Sequence, residues 1–501
     1  MSMEEKKIEN GSGDFGDSHK RLNMYACASV VAASVIFALY GYVMAVMTGV
    51  LLFIKEDLQL SDLQVQFSVG LLHMSALPAC MTAGRIADYI GRRYTIILTA
   101  IIFLVGSVLM GYGPSYPILM IGLSISGIGL GFSLIVAPVY CAEISPPSHR
   151  GFLTSFLEVS TNAGIALGYV SNYFFGKLSI RLGWRLMLVV HAVPSLALVA
   201  LMLNWVESPR WLVMQGRVGE ARKVLLLVSN TKEEAEQRLK EIKVAVGIDE
   251  KCTQDIVQVP NRTRNGGGAF REMFCKPTPP VRRILIAAVG VHAFQQLSGV
   301  GAILLYCPRI FETIGVTDQS KMLLATVGMG LSKLVFAVMS VFLLDRVGRR
   351  LLLLISSGVM AVSLLGLGSV LTLVENSNRE NLGWALGFAI VATYTYVAFM
   401  TIGSGPVTWV YSSEILPLRL RAQGLSICVA VNRIIDMTMA TSFISIYKMM
   451  TMGGTFFMLA GINVVAWSFY YFFLPETKGR SLEDMETIFG KRFKPNCNNG
   501  A

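Results

Sequence analysis

One charged signature occurs twice in this chain. GRIADYIGRR begins at Gly84 and LLDRVGRR at Leu343, each at the exit of a long apolar segment and roughly 260 residues apart. Later pairs keep a similar offset: PVYCAEISPPSHRG from Pro138 is answered by PVTWVYSSEILPLRLRAQG from Pro406, and VESPRWL from Val206 by LPETKGRSLE from Leu474. A chain built twice on one plan, with its charges gathered where apolar runs end, folds as two equivalent halves in a membrane. Such symmetry places a ligand site between the halves.

Composition agrees with a lipid environment. Of 501 residues 53% are hydrophobic and 15% charged, and the mean hydropathy is +0.56, too apolar for a soluble chain of this length. Segments long enough to cross a hydrocarbon layer of about 30 Å lie at 24–52, 67–89, 94–112, 117–140, 154–176 and 184–205. The second half supplies 283–311, 322–344, 351–374, 383–411, 425–447 and 453–473. The predicted fold is an all-α membrane protein of about twelve transmembrane helices in two pseudo-symmetric six-helix bundles, 24–205 and 283–473.

Arg85, Arg92 and Arg93, then Arg150, then Arg346, Arg349 and Arg350, then Arg419 and Arg421 fall in alternate connections. The positive-inside bias makes those turns cytoplasmic, together with both termini. The net charge of +11 then reflects topology and contact with inner-leaflet lipid. The positives are dispersed among membrane turns and form no single basic face, which argues against nucleic acid as a partner.

Residues 1–23 read as a polar, disordered cytoplasmic tail without the pattern of a signal or transit peptide, and 474–501 as a second cytoplasmic tail. Between the bundles, 206–282 reads as a cytoplasmic linker. Glu233, Glu234, Glu236, Lys240, Glu241 and Lys243 lie there among Leu and Ala in short amphipathic helices, followed by a polar stretch with GGG at Gly266. The eight cysteines (Cys27, Cys80, Cys141, Cys252, Cys275, Cys307, Cys428 and Cys497) show neither metal spacing nor an extracellular pairing and read as packing residues. The sequons at Asn10 and Asn261 fall on the cytoplasmic side of this topology, where glycans are not added. Phosphate loop, metal cluster and nucleophile–base constellation are all lacking, so no catalytic residue, metal or cofactor is expected and an enzyme is disfavoured.

Taken in order, GRxxDxxGRR, AEISPxxxRG, ESPRWL, QQLSG, DRxGRR and PETKGRSLE resemble the sugar porter family of the major facilitator superfamily, over nearly the whole membrane region. SFLEVSTNAGIALGYVSNY from Ser155 and TWVYSSEILPLRLRAQG from Thr408 look most like its plant polyol and monosaccharide transporters. The resemblance implies a carrier that rocks two bundles about a central site, moving a small sugar or polyol and working as a monomer. It implies no covalent chemistry and no cofactor beyond a co-transported proton. The plasma membrane is the expected location, with the vacuolar membrane as alternative. Linear polyols, cyclic polyols and hexoses all remain open as substrate, and a non-transporting sugar or polyol sensor is the alternative function.

At the cytoplasmic face the carboxylates Asp88, Glu143, Glu207, Asp345, Glu414 and Glu476 and the guanidiniums Arg92, Arg150, Arg210, Arg349, Arg421 and Arg480 are expected to form ionic latches, since Arg forks bind carboxylates in several places at once. Positive-inside bias accounts for the arginines but not for carboxylates at matching places in both halves. The resemblance implies that these networks hold an outward-facing arrangement.

A polyhydroxylated ligand needs side chains that both donate and accept, with a flat apolar surface beside them. Gln295 and Gln296 provide the first and Trp409 the second. By motif position the resemblance assigns Gln295, Gln296, Trp409 and Asn432 to sugar contact and Tyr306 to an aromatic gate near the outer mouth. Glu158 falls where hexose porters carry Gln and the polyol branch carries Glu. Lys333 falls where hexose facilitators place Asn, facing the cavity with Glu158 or Asp436 as partner, or else forming a structural pair. Lys333, Arg433 and Asp436 are intramembrane ionisable groups, which are costly and therefore functional candidates.

Three positions depart from the family. Val43 in GYVMAVMTG occupies the place of the coupling aspartate, and Leu123 in GLSISGIGLGF that of its partner arginine. Losing one member of a buried pair costs about 3–5 kcal/mol, whereas replacing both by apolar residues can be neutral. The joint change is coherent, and it favours facilitated uniport over the family's proton symport unless Glu158 substitutes as the proton carrier. Gly301 replaces a family Asn or Asp and predicts altered affinity or selectivity.

Overall fold

The computed structural model describes residues 23–478 and 489, apart from 114, 147–148, 247, 250–253, 258–277, 314–317, 377–382 and 418–419. The side chains of Ala245, Asp345, Arg421 and Ala422 lie outside that description. Among the described residues the secondary structure is helical, with one isolated bridge between Arg217 and Ile256. The first half contains α1 (Met24–Asp57), α2 (Asp62–Ile90), α3 (Arg92–Tyr112), α4 (Tyr116–Ile144), α5 (Arg150–Phe175), α6 (Ile180–Val189) and α7 (Ala192–Leu203). Three short helices follow in the linker: α8 (Pro209–Met214), α9 (Val218–Val228) and α10 (Lys232–Val246). The second half contains α11 (Pro279–Leu297), α12 (Val300–Thr313), α13 (Gln319–Val347), α14 (Arg349–Asn376), α15 (Gly383–Phe399), α16 (Gly405–Ile415), α17 (Arg421–Met450) and α18 (Met452–Phe473).

Eleven of the spans are long and apolar enough to cross a bilayer, with α6–α7, α11–α12 and α15–α16 each making one interrupted crossing. The remaining expected crossing is α5. Its 26 residues exceed the roughly 20 that a bilayer requires, but Glu158, Thr161, Asn162, Ser171 and Asn172 dilute its apolar character. The fold shows why this polarity is tolerated. Helix α5 packs along α1 and across to α13 of the other half, and Asn162 and Asn172 are fully buried, bonded to the carbonyls of Glu158 and Ala45 at 2.8 and 3.1 Å. Polar groups shielded by neighbouring helices escape the cost of facing lipid.

Local signals set the helix ends. Asn23 caps α1 by accepting from the Ala26 N–H at 2.9 Å, and Ser61 with Gln64 forms a reciprocal capping box at the start of α2. Gly91 and Gly348 are single-residue hinges at φ 102° and 100°, joining α2 to α3 and α13 to α14 in a backbone conformation that a Cβ would strain. Both sit inside the repeated charged signature, so the duplication reproduces the turn as well as the charges.

Candidate functional site

The two signatures fold into joints that match almost bond for bond. In the first half, the Arg92 side chain meets Glu143 at 3.1 Å and Asp88 at 3.0 Å and donates to the Ala87 carbonyl at 3.3 Å. Glu207 accepts from the Arg92 and Arg93 backbone N–H groups at 2.9 and 3.0 Å and from Ser208 N–H at 2.8 Å. In the second half, Arg349 meets Glu414 at 3.0 Å and donates to the Leu344 carbonyl at 3.3 Å. Glu476 accepts from the Arg349 and Arg350 N–H groups at 2.9 and 3.0 Å and from Thr477 N–H at 3.0 Å.

The hydroxyls correspond as well. Ser208 donates to Glu143, and Thr477 donates to Glu414 at 2.7 Å. Tyr140 donates to the Val206 carbonyl at 2.8 Å, and Tyr411 to that of Pro475 at 3.0 Å. Glu207 and Glu476 thus cap the free N–H groups of α3 and α14, where a carboxylate also meets the favourable end of the helix dipole. Burial pushes the Glu207 carboxyl up, and the N–H donors and Arg92 oppose that shift.

Each of the pairs described above joins residues of one half or of the segment that directly follows it. Arg150 lies at the start of α5 within electrostatic reach of Arg210 and Glu241, and Arg210 is exposed. Arg480 and the side chains of Asp345 and Arg421 lie outside the described residues. A cation that sequence reasoning missed, Arg238 of α10, fills the first-half joint from below. It donates to the carbonyls of Ile144 and Ser145 at 3.1 and 3.2 Å and to Ser229 Oγ at 3.1 Å. Burial pushes it down to about 10, still a cation at neutral pH. Its sequence setting, a charged amphipathic helix, gives no sign that this arginine points inward.

Mid-membrane, the crossing α11–α12 breaks at Ser298 and Gly299 and the crossing α15–α16 widens into a π-turn at Met400–Ser404. Such turns leave carbonyls to be satisfied by side chains and recur at functional sites. Gln295 Nε2 donates to the carbonyls of Ser404 and Gly405 at 3.0 and 3.1 Å. Its Oε1 accepts from Asn432 Nδ2 at 2.9 Å, and Asn432 Oδ1 accepts from Gln296 Nε2 at 3.1 Å. Asn432 also donates to the His292 carbonyl at 3.3 Å. The His292 ring meets the half-buried Trp409 edge-on at 4.9 Å and contacts Ser412 Oγ at 3.1 Å.

The structure therefore brings Gln295, Gln296, Asn432 and Trp409 together. Glu158 is close by, 3.8 Å from where a side chain on Gly405 would begin, and its charge acts on buried Lys333. Asp436, the other partner considered for Lys333, is engaged by His73 at 3.3 Å and Arg433 at 3.2 Å. Tyr306 stands apart. It stacks on Phe443 at 5.2 Å, donates to the Ala440 carbonyl at 3.1 Å, and lines a cavity of about 310 Å³ with Lys55, Asp62, Arg309 and Glu312 at the end away from the arginine joints.

Val43 and Leu123 are both fully packed in the apolar core, so nothing polar is stranded by their substitution. At Gly301 an added Cβ would lie 2.4 Å from Asp436 Oδ1. The loss of a side chain from α12 makes room for a carboxylate from α17.

Contacts between the halves begin at mid-membrane and continue away from the arginine joints. Tyr169 donates to the Leu304 carbonyl at 3.1 Å, Ser445 donates to Gln66 at 3.1 Å, and Asp62 meets Arg309 at 3.6 Å and also Lys448.

The family described as "Sugar (and other) transporter" matches residues 28–489. Over 474 residues the chain is 54% identical to "Probable polyol transporter 3" of Arabidopsis thaliana, covering 95% of this chain and 93% of that protein. It is 51% identical over 467 residues to "Polyol transporter 5" of the same plant, covering 93% and 86%. A solved structure of the major facilitator proton:xylose symporter XylE with 6-bromo-6-deoxy-D-glucose is 26% identical with a TM-score of 0.75, covering 93% of this chain and all of that one.

Proposed function

The chain belongs to the sugar (and other) transporter family, and from that premise we propose that it carries a polyol or monosaccharide across a membrane by alternating access. The observation that supports this most is the connected amide cluster of Gln295, Gln296 and Asn432. It is buried at two broken crossings and combines donors and acceptors next to His292, whose ring meets Trp409. Such groups can exchange their mutual hydrogen bonds for hydroxyls of a ligand at little net cost, while Trp409 covers its C–H face. The relatives named as polyol transporters favour a polyol among the candidates. Glu158 and Lys333 complete the polar wall, and Tyr306 works as a gate element on the far-side cavity.

With the arginine-bearing turns read as cytoplasmic, the contacts between halves fall on the extracellular side, which supports reading this arrangement as one with the extracellular side closed. Uptake of labelled linear polyols, cyclic polyols and hexoses into proteoliposomes containing the full chain tests the reading. Saturable uptake of at least one class is the expected result. Specific binding with no flux for any of them would instead make the protein a sensor.

A further inference from the structure

We propose that the contact between His73 of α2 and Asp436 of α17 is a proton-binding site that couples transport to a proton in place of the missing pair at Val43 and Leu123. The proposal rests on the carrier reading above and adds where the proton sits. His73 and Asp436 come from opposite halves and are 3% and 4% exposed, so they meet only when the extracellular side is closed.

The ring geometry counts the protons. His73 Nδ1 lies 3.1 Å from the Val69 carbonyl, and a carbonyl only accepts, so Nδ1 carries a hydrogen. Nε2 then faces Asp436 Oδ2 at 3.3 Å. In a neutral imidazole with Nδ1 protonated, Nε2 is an acceptor, and an ionised carboxylate is acceptor-only. Two acceptors at that distance repel. The contact is attractive when one further proton lies between them, as an imidazolium against the carboxylate or a carboxylic acid against the imidazole. Closing the extracellular side therefore takes up one proton relative to the separated neutral imidazole and ionised carboxylate.

The surroundings suit this role. Arg433 Nη1 holds the same carboxylate oxygen at 3.2 Å, and Arg433 Nε donates at 3.1 Å to Asn432 Oδ1, the atom that also accepts from Gln296. One continuous chain of polar contacts thus joins the proton site to the amide cluster. A cavity of about 50 Å³ lined by His73 and Gly301 is large enough for water, which needs roughly 10–15 Å³ of such space. Other ionisable groups facing the cluster are Tyr40 of α1 and Cys80 of α2 beside Arg433, His292 of α11 within its electrostatic reach, and Glu158 of α5, which acts on Tyr40 and on Lys333 of α13.

In the resulting cycle His73 takes a proton from the extracellular water when α2 and α17 are apart. Closure then pairs it with Asp436. Once the cytoplasmic side opens, the proton leaves by that side, the two acceptors face each other again, and the extracellular side is released. Proton and substrate move in the same direction, and no bond other than N–H or O–H changes.

The test uses the full chain in proteoliposomes, reading substrate uptake and substrate-induced pH change together. In the parent protein, substrate addition should move protons with it. His73→Gln and Asp436→Asn each supply a non-titrating donor to the contact, so the ratio of protons to substrate should fall to zero in both, whatever their rates. A second readout needs no flux: a cysteine introduced at Leu52 in the far-side cavity, on a background without native cysteines, should lose reactivity more steeply as pH falls in the parent than in His73→Gln, where only the thiol's own loss of thiolate remains. Uptake by the parent without proton movement overturns the coupling proposal and leaves the carrier standing. So does an unchanged ratio in His73→Gln, and a ratio lost in Glu158→Gln but kept in His73→Gln assigns the proton to Glu158. Absence of uptake for every substrate removes the carrier reading and this proposal with it.

Discussion

The joint around Arg92 and the joint around Arg349 are built from corresponding residues making corresponding bonds, down to the guanidinium that reaches a carbonyl five residues back in each half. The seam between the halves shows no such correspondence. His73 meets Asp436, Gln66 meets Ser445, and Asp62 meets Arg309 and Lys448, pairs that belong to no repeated motif. The repeated interactions hold each half together, while the unrepeated ones hold the halves to each other. A machine of two rocking bodies needs this division, with bonds that persist inside each body and bonds that break between them.

The largest expected effect comes from breaking a repeated joint. Arg92→Ala takes the guanidinium from Glu143, whose side chain is 11% exposed, and should destabilise the fold by about 3–5 kcal/mol, read as a lower melting temperature in detergent. Arg349→Ala should cost less, because its side chain is 13% exposed against 7% for Arg92. Equal melting of parent and variants would reduce the joints to topological decoration.

Next in size is the packing that sets Asp436 in place for the seam, between α12 and α17 of the second half. Gly301→Ala brings a methyl to 2.4 Å from Asp436 Oδ1, and relief of that overlap should cost on the order of 1–3 kcal/mol while displacing the carboxylate from His73. Disturbed coupling in this variant, with both arginine joints intact, would sharpen the distinction between seam and halves. Gln296→Ala removes one donor from the amide cluster and should weaken substrate half-saturation roughly tenfold, equivalent to about 1.4 kcal/mol, with membrane insertion unaffected. Unchanged uptake kinetics in a well-expressed protein would move the substrate elsewhere. The smallest effect belongs to the rim of the seam. Asp62→Asn loosens ion pairs that water already screens, so labelling of a cysteine introduced at Leu52 in the far-side cavity should rise less than twofold.

Much of this was legible in the chain. The duplicated signatures announce two halves and their shared turns, the apolar runs give the crossings, and the costly amides Gln295, Gln296 and Asn432 mark the candidate site, where they form one bonded cluster. His73 carried a readable signal too, as an ionisable residue inside an apolar span, yet nothing along α2 names its partner 363 positions away on α17. Arg238 shows the same limit, turning inward from a charged helix.

The sequence by itself determined the membrane environment, the twofold plan, the turns inside the repeated signature and the residue types at the centre, because these follow from local hydrophobicity, turn chemistry and the cost of burying polar groups. Tertiary structure alone decided that α5 escapes lipid, that Asp436 fills the space left at Gly301, and that a histidine from one half meets a carboxylate from the other. Those outcomes depend on which helix faces pack together, and the free energy that selects them comes from atoms far apart in the chain, where no local pattern records it.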